Sequence, residues 1–247
     1  VCGMVMPVMM IPSAFVSSLA LVLVPEFSEC AARGEKEKLS ALTEKALNAA
    51  LLIAGALLPL YAVLGQDIGI LLFDSPKSGA LIAAGSLLLL PMSVSMISGS
   101  LLNSLRCEKH TLLIFLAGAG AMLLTVLLLT GRLGGGALLC GMAAEHTLSA
   151  LLSLCVLRRK TGKLRSGKFC LKTLAAAAAA ALVGFPLRSF FMLHFSFFPA
   201  LLLTLLLLAA AEGGLIALFR LADLKTLAKR FLPRRRRKEK SRANGRI

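Results

Sequence analysis

The chain has 247 residues, 57% of them hydrophobic, with a mean hydropathy of +0.84. It carries 28 Lys and Arg against 12 Asp and Glu, a formal net charge of +16, and contains no Trp. That profile excludes an ordinary water-soluble core and fits an all-α polytopic membrane helix bundle. The first residue is Val, already inside an apolar run, with no basic segment before it and no small-residue cleavage site after it. The run therefore does not read as a signal peptide, and the chain reads as the C-terminal part of something longer.

Apolar runs long enough to cross a hydrocarbon core of about 30 Å predict seven spans, at about 1–26, 46–65, 78–105, 111–130, 133–157, 173–193 and 195–219. The first is charge-free as far as Pro25-Glu26 and is interrupted by Pro7, Pro12 and Ser17-Ser18. Each internal proline removes a backbone donor. In lipid, the freed carbonyl must be satisfied by another helix or by a wet cavity. The expectation is a broken pathway helix with Pro7, Pro12, Ser13 and Ser17 as candidate pathway residues; a kinked packing helix is the plainer alternative.

A charged segment, Phe27 to Lys45, leads through Leu39, Leu42 and Ala46 at helical spacing into the second span, which ends near Gly65. Asp67 and Asp74 then bracket Ile68 to Phe73, a stretch too short to cross by itself. Asp74-Ser75-Pro76 is turn chemistry. The third span holds Pro91 at its middle, followed by Ser93, Ser95, Ser98, Ser100, Asn103 and Ser104. Pro91, Ser95 and Asn103 join the candidate pathway set. The fourth span has a Gly118-Gly120 small-residue face, and Gly131-Arg132 predicts a tight turn.

The fifth span carries Glu145 and His146 near its centre. An acid there costs on the order of 2.5 to 3.5 kcal/mol on insertion scales. Glu145 is thus a candidate proton- or cation-coupling residue, or else a protonated acid hydrogen-bonded to a neighbouring helix. His146 points about 100° away on a helix, so the two need not share a partner. The sixth span is an alanine run, short between Lys172 and Arg188 unless Arg188 snorkels outward. Glu212 lies near the inner end of the seventh. Residues 220–247, with Arg234, Arg235, Arg236 and Arg237 in one run, read as a disordered basic tail.

Between the predicted spans, Lys and Arg number four, one, two, one, seven, one and, in the tail, twelve. Short loops rich in these residues stay cytoplasmic, so the alternation puts the first residue outside and the tail inside the cytoplasmic membrane. Arg158, Arg159, Lys160 and the arginine run are candidate contacts for anionic lipid. Nucleic acid is not expected as a partner, because no aromatic residue interleaves the tail's cations. The six Cys have no CxxC spacing and no His partner, and GxSxG, HExxH and Walker A are absent from the sequence. No catalytic centre, metal or cofactor is expected, and the chain does not read as an enzyme.

Gly3-Met-Val-Met-Pro7, Ile11-Pro-Ser13, Ser17-Ser-Leu-Ala20 and Leu23-Val-Pro-Glu26 resemble the eighth membrane helix of the stage V sporulation protein B group. Ile68-Gly-Ile-Leu-Leu-Phe-Asp-Ser-Pro76 and Ser98-Gly-Ser-Leu-Leu-Asn-Ser104 resemble its following loop and tenth helix. The group belongs to the multidrug/oligosaccharidyl-lipid/polysaccharide flippase superfamily, whose fourteen helices form two pseudo-symmetric halves. The resemblance implies helices eight to fourteen, a missing N-terminal half as partner, and alternating-access flipping of a lipid-linked oligosaccharide or isoprenoid-linked cell-wall precursor. Lipid II flippases of the group carry an Arg five residues before the Pro-Ser, where this chain has Pro7, so a pyrophosphate would be gripped from elsewhere. A cation-coupled multidrug exporter of the same fold is the nearest alternative. A seven-span receptor or membrane scaffold with a lipid-binding tail is the alternative from another class.

Overall fold

The computed structural model describes residues 2–162 and 166–218; the tail, with Arg234 to Arg237, lies outside them. Among the described residues there is no strand, and seven helical segments are long and apolar enough to cross a membrane. The chain is an all-α, multi-pass bundle. Its helices are α1 (Cys2–Ala32), α2 (Lys36–Phe73), α3 (Pro76–Gly85), α4 (Leu89–Ser104), α5 (Glu108–Leu133), α6 (Gly136–Thr161), α7 (Ser166–His194) and α8 (Phe197–Leu218). A 3-10 turn at Ser86–Leu88 joins α3 to α4, and together they make one span.

The break expected in the first span is absent: α1 runs unbroken through Pro7, Pro12 and Pro25. Pro12 cannot donate to the carbonyl of Val8, four residues back. Tyr61 of α2, the only Tyr in the chain, donates its hydroxyl to that carbonyl at 2.8 Å. A side chain from the next helix thus supplies the donor that the proline lacks, as a hydrocarbon surrounding requires. Pro91 behaves differently. The 3-10 turn lies in the turn just before it, where the ring crowds the carbonyl of Leu87 and the helix tightens.

The second helix is longer than its sequence suggests. It absorbs both the charged lead-in and the stretch from Asp67 to Phe73, 38 residues in all, or about 57 Å. It is also the central element, packing against α1, α3, α4, α7 and α8. Its most apolar window is 56% buried, whereas that of α5, which turns Leu112, Leu116, Leu123 and Leu127 outward, is 11% buried.

Asp74 ends α2 in a left-handed conformation (φ 48°), and Ser75 accepts from the Ser78 amide to start α3 with Pro76 in its first turn. The hairpin closes on glycine. A Cβ on Gly69 would lie 2.2 Å from the Gly79 backbone, and one on Gly65 would lie 2.7 Å from that of Ala83. Gly65 and Gly69 face Gly79 and Ala83 at matching four-residue spacing, so the two backbones touch. The turn expected at Gly131-Arg132 falls instead at Gly134-Gly135, where Gly134 has φ 53°. The buried interior joins Val16, Phe27, Leu47, Ile97 and Leu101 at one end, and Met9, Leu58, Ile82 and Leu89 toward the other.

Tyr61→Phe should cost about 1 to 2 kcal/mol, because it strands the Val8 carbonyl. The same change in a Pro12→Ala background should cost less, since the restored amide can bond Val8 itself. Reversible unfolding of the full-length protein in mixed micelles measures both, and equal costs in the two backgrounds would refute the substitution of donors.

Candidate functional site: an ion pair and polar seams between helices

Asp67 lies 22 residues beyond Lys45 on α2, about 33 Å along the helix, which is close to the thickness of a hydrocarbon core. Arg188 lies 16 residues beyond Lys172 on α7. The structure brings them together. Arg188 Nε donates to Asp67 Oδ2 at 2.6 Å and Nη2 to Oδ1 at 2.8 Å, a fork-on-fork pair. The Asp67 side chain is 3% exposed and that of Arg188 is 23% exposed. The outward snorkel expected of Arg188 is therefore corrected: α7 continues unbroken to His194 and the guanidinium turns inward to the carboxylate. Sequence reasoning missed the pair because Asp67 read as a loop residue. The available signal was one acid and one base, each isolated near the same end of an apolar helix.

A second polar seam runs between α4, α5 and α6. The Ser95 hydroxyl lies 3.4 Å from His146 Nδ1 and donates to the Met92 carbonyl at 2.9 Å. Glu145 is half-buried and packs across Gly118 of α5, where a Cβ would come within 3.2 Å of its Cγ and 2.5 Å of Ser149 Oγ. Glu145 therefore faces α5 while His146 faces α4. They do not share a partner, and Glu145 makes no ion pair among the described residues. Of the two glycines expected to form a small-residue face, Gly118 makes the close approach and Gly120 meets nothing within 4 Å.

On α8, Ala200, Thr204, Leu208 and Glu212 recur every four residues and are all buried. Glu212 is 5% exposed, so it is buried among the packed helices. Leu208 packs against Gly184 of α7 and Val63 of α2, which places this face of α8 in the same layer as the ion pair.

The candidate pathway residues are distributed. Pro12 is buried; Ser13, Ser17, Pro91 and Ser95 are half-buried; Pro7 and Asn103 are exposed. Several hydroxyls turn back on their own helix: Ser13 donates to Met10, Ser93 to Leu89, Ser100 to Met96 and Ser104 to Ser100. Ser98 is the exception, with a fully buried hydroxyl oxygen that has no partner. None of the pathway candidates lines the small void bounded by Val5, Met6, Leu81, Gly135, Leu138 and Leu139, or the larger cleft at the opposite end of the bundle.

That larger cleft, about 320 Å³, is lined by Lys36, Glu37 and Ser40 of α2 and by Arg159, Lys160, Thr161 and Gly162 at the end of α6. Arg158 is exposed in the same last turn. Cys30, Cys107, Cys140, Cys155 and Cys170 are unpaired, and no metal-holding cluster of His, Cys, Asp or Glu occurs among the described residues.

Removing either member of the α2–α7 pair leaves a buried charge alone, so Asp67→Leu or Arg188→Leu should each cost about 3 kcal/mol. The double variant Asp67→Leu/Arg188→Leu should recover most of that loss. Additive losses in a micellar unfolding cycle would mean that the pair contributes through something other than mutual neutralisation. No family model matches the chain, and no curated protein matches it.

Proposed function

We propose that the chain is one half of a membrane transporter that moves a lipid-linked oligosaccharide, or another isoprenoid-linked precursor, across the cytoplasmic membrane by alternating access. The partner in this reading is the N-terminal half implied by the flippase resemblance, with the first residue outside and the tail inside. The observation that carries it is the exposed stripe of α1, the helix on which the resemblance is strongest. Gly3, Pro7, Ala14, Ser18 and Pro25 are exposed along it, among Met10, Ile11, Phe15, Leu21 and Val22. The exposed residues of α5, by contrast, are mainly Leu and Phe. A purely lipid-facing helix gains nothing from proline and serine on its outer side. A helix that walls a passage between two lobes does, because small residues leave room for a polar head group and for the second lobe's approach.

Cation-coupled export on the same fold is favoured by a specific feature, the two intramembrane acids Glu145 and Glu212, neither of which has an ion pair among the described residues. Flipping and cation coupling are compatible, since the acids could supply the driving step.

The full-length protein, reconstituted in liposomes with a fluorescent isoprenoid-diphosphate sugar, should equilibrate the probe between leaflets faster than empty liposomes do. Ala14→Trp on the α1 stripe should slow this about tenfold or more by filling the passage, while Leu127→Trp on α5 should leave it unchanged. A probe that stays in its original leaflet overturns the reading. If the acids couple cations, Glu145→Gln should flatten the pH dependence of transport. Reporter fusions that are active only when exported should be active at Lys77 and Arg132 and silent at Lys109; the reverse pattern refutes the orientation.

A further inference from the structure

The cleft between the start of α2 and the end of α6 collects three cations, Lys36, Arg159 and Lys160, against one acid, Glu37. None of the three cations forms an ion pair among the described residues. The neighbouring charges are spoken for: Arg33 pairs with Glu29, and Lys38 with Glu35 at 2.6 Å. The backbone adds to the site. Glu35 occupies the N-cap position of α2 without making a side-chain cap, because its carboxylate is held by Lys38. The first turn of α2, with Lys36 and Glu37, thus lines the cleft without a carboxylate cap. Gly162, at φ 103°, ends α6 and lets the chain leave directly after Arg159 and Lys160. The cleft's volume of about 320 Å³ falls within the range of about 300 to 1,000 Å³ typical of small-ligand sites.

We propose that this cleft is a phosphate-binding site, taking the phosphate group of an anionic lipid head group or a free phosphate at the basic end of the bundle. Arg159 would supply a planar fork for two phosphate oxygens, and Lys36 and Lys160 point charges on either side of it. Thr161 does not take part, because its hydroxyl is committed to the Leu157 carbonyl. The site is a defined cluster, distinct from a general attraction of basic loops to acidic membrane, and it stands whatever the bundle transports.

The test uses the full-length protein in micelles of a neutral detergent, titrated in one arm with phosphatidylglycerol and in the other with inorganic phosphate. Binding should saturate in at least one arm. Saturation by the lipid that millimolar phosphate does not displace identifies a head group, and saturation by phosphate alone identifies the free anion. Lys36→Gln/Arg159→Gln/Lys160→Gln should weaken the saturable binding about tenfold or more, as expected for losing charge-assisted hydrogen bonds. Lys109→Gln/Lys168→Gln/Lys172→Gln removes as much charge from the same end and should change it less than about twofold. All six side chains are exposed, so neither triple variant opens the core. Equal weakening by both variants would reduce the effect to diffuse attraction and overturn the site, as would the absence of saturable binding in both arms.

Discussion

Asp67 and Arg188 are an acid and a base set against each other between two spans, and the end of the bundle where α2 and α7 meet is arranged around them. Neither group is tolerable in hydrocarbon alone. Joined by two short hydrogen bonds, they become a nearly neutral unit that α2 and α7 can bury together. That requirement fixes the relative height of the two helices. It also explains how an alanine-rich helix with little to interlock, α7, keeps its register on α2. A one-turn slip would carry the guanidinium about 5.4 Å from its carboxylate.

The same constraint, that polar groups in lipid must be satisfied from within the protein, acts at Pro12. The carbonyl freed by Pro12 is met by Tyr61, so the helix stays straight enough to span as a single element. Pro91 lies where a 3-10 turn absorbs the strain, and α3 and α4 together still make one span. The two prolines therefore have different local outcomes, a hydroxyl donated from the next helix at Pro12 and a 3-10 turn at Pro91. Between these polar fastenings the helices associate by close packing alone, since lipid supplies no hydrophobic drive to bring them together. Gly69 on Gly79, Gly55 on Thr173, Gly118 on Ser149 and Gly184 on Leu208 are among the points of close approach.

For function, the arrangement separates two ends. One end holds cations without an ion pair among the described residues, at a cleft between α2 and α6; the other holds a neutralised pair between α2 and α7. Helix α2 spans the distance between them and touches most of the bundle. In the proposed transporter half, such an element would carry forces from one face of a rocking lobe to the other. The outward stripe of α1 is the surface on which a second lobe would act. The acids on α6 and α8 lie off that surface, among the packed helices, where a change of charge would alter packing without touching a substrate.

Hydropathy and charge alternation in the sequence were enough to establish an all-α bundle with seven segments able to cross a membrane, because crossing length and apolar content are properties of contiguous residues. The position of Glu145 within an apolar run and the small residue Gly118 were legible for the same reason, whereas the expected break at the prolines of α1 and the turn at Gly131-Arg132 were not what the packed helices adopt. What the sequence could not determine was how groups far apart in the chain are matched: Asp67 with Arg188, Tyr61 with the carbonyl opposite Pro12, and Lys36 with Arg159. Nor could it show that α2 would continue through Asp67, since an acid in an apolar run reads as a terminus until its counter-ion is known. A buried charge is acceptable or prohibitive according to its neighbours, and only the packed bundle supplies those neighbours.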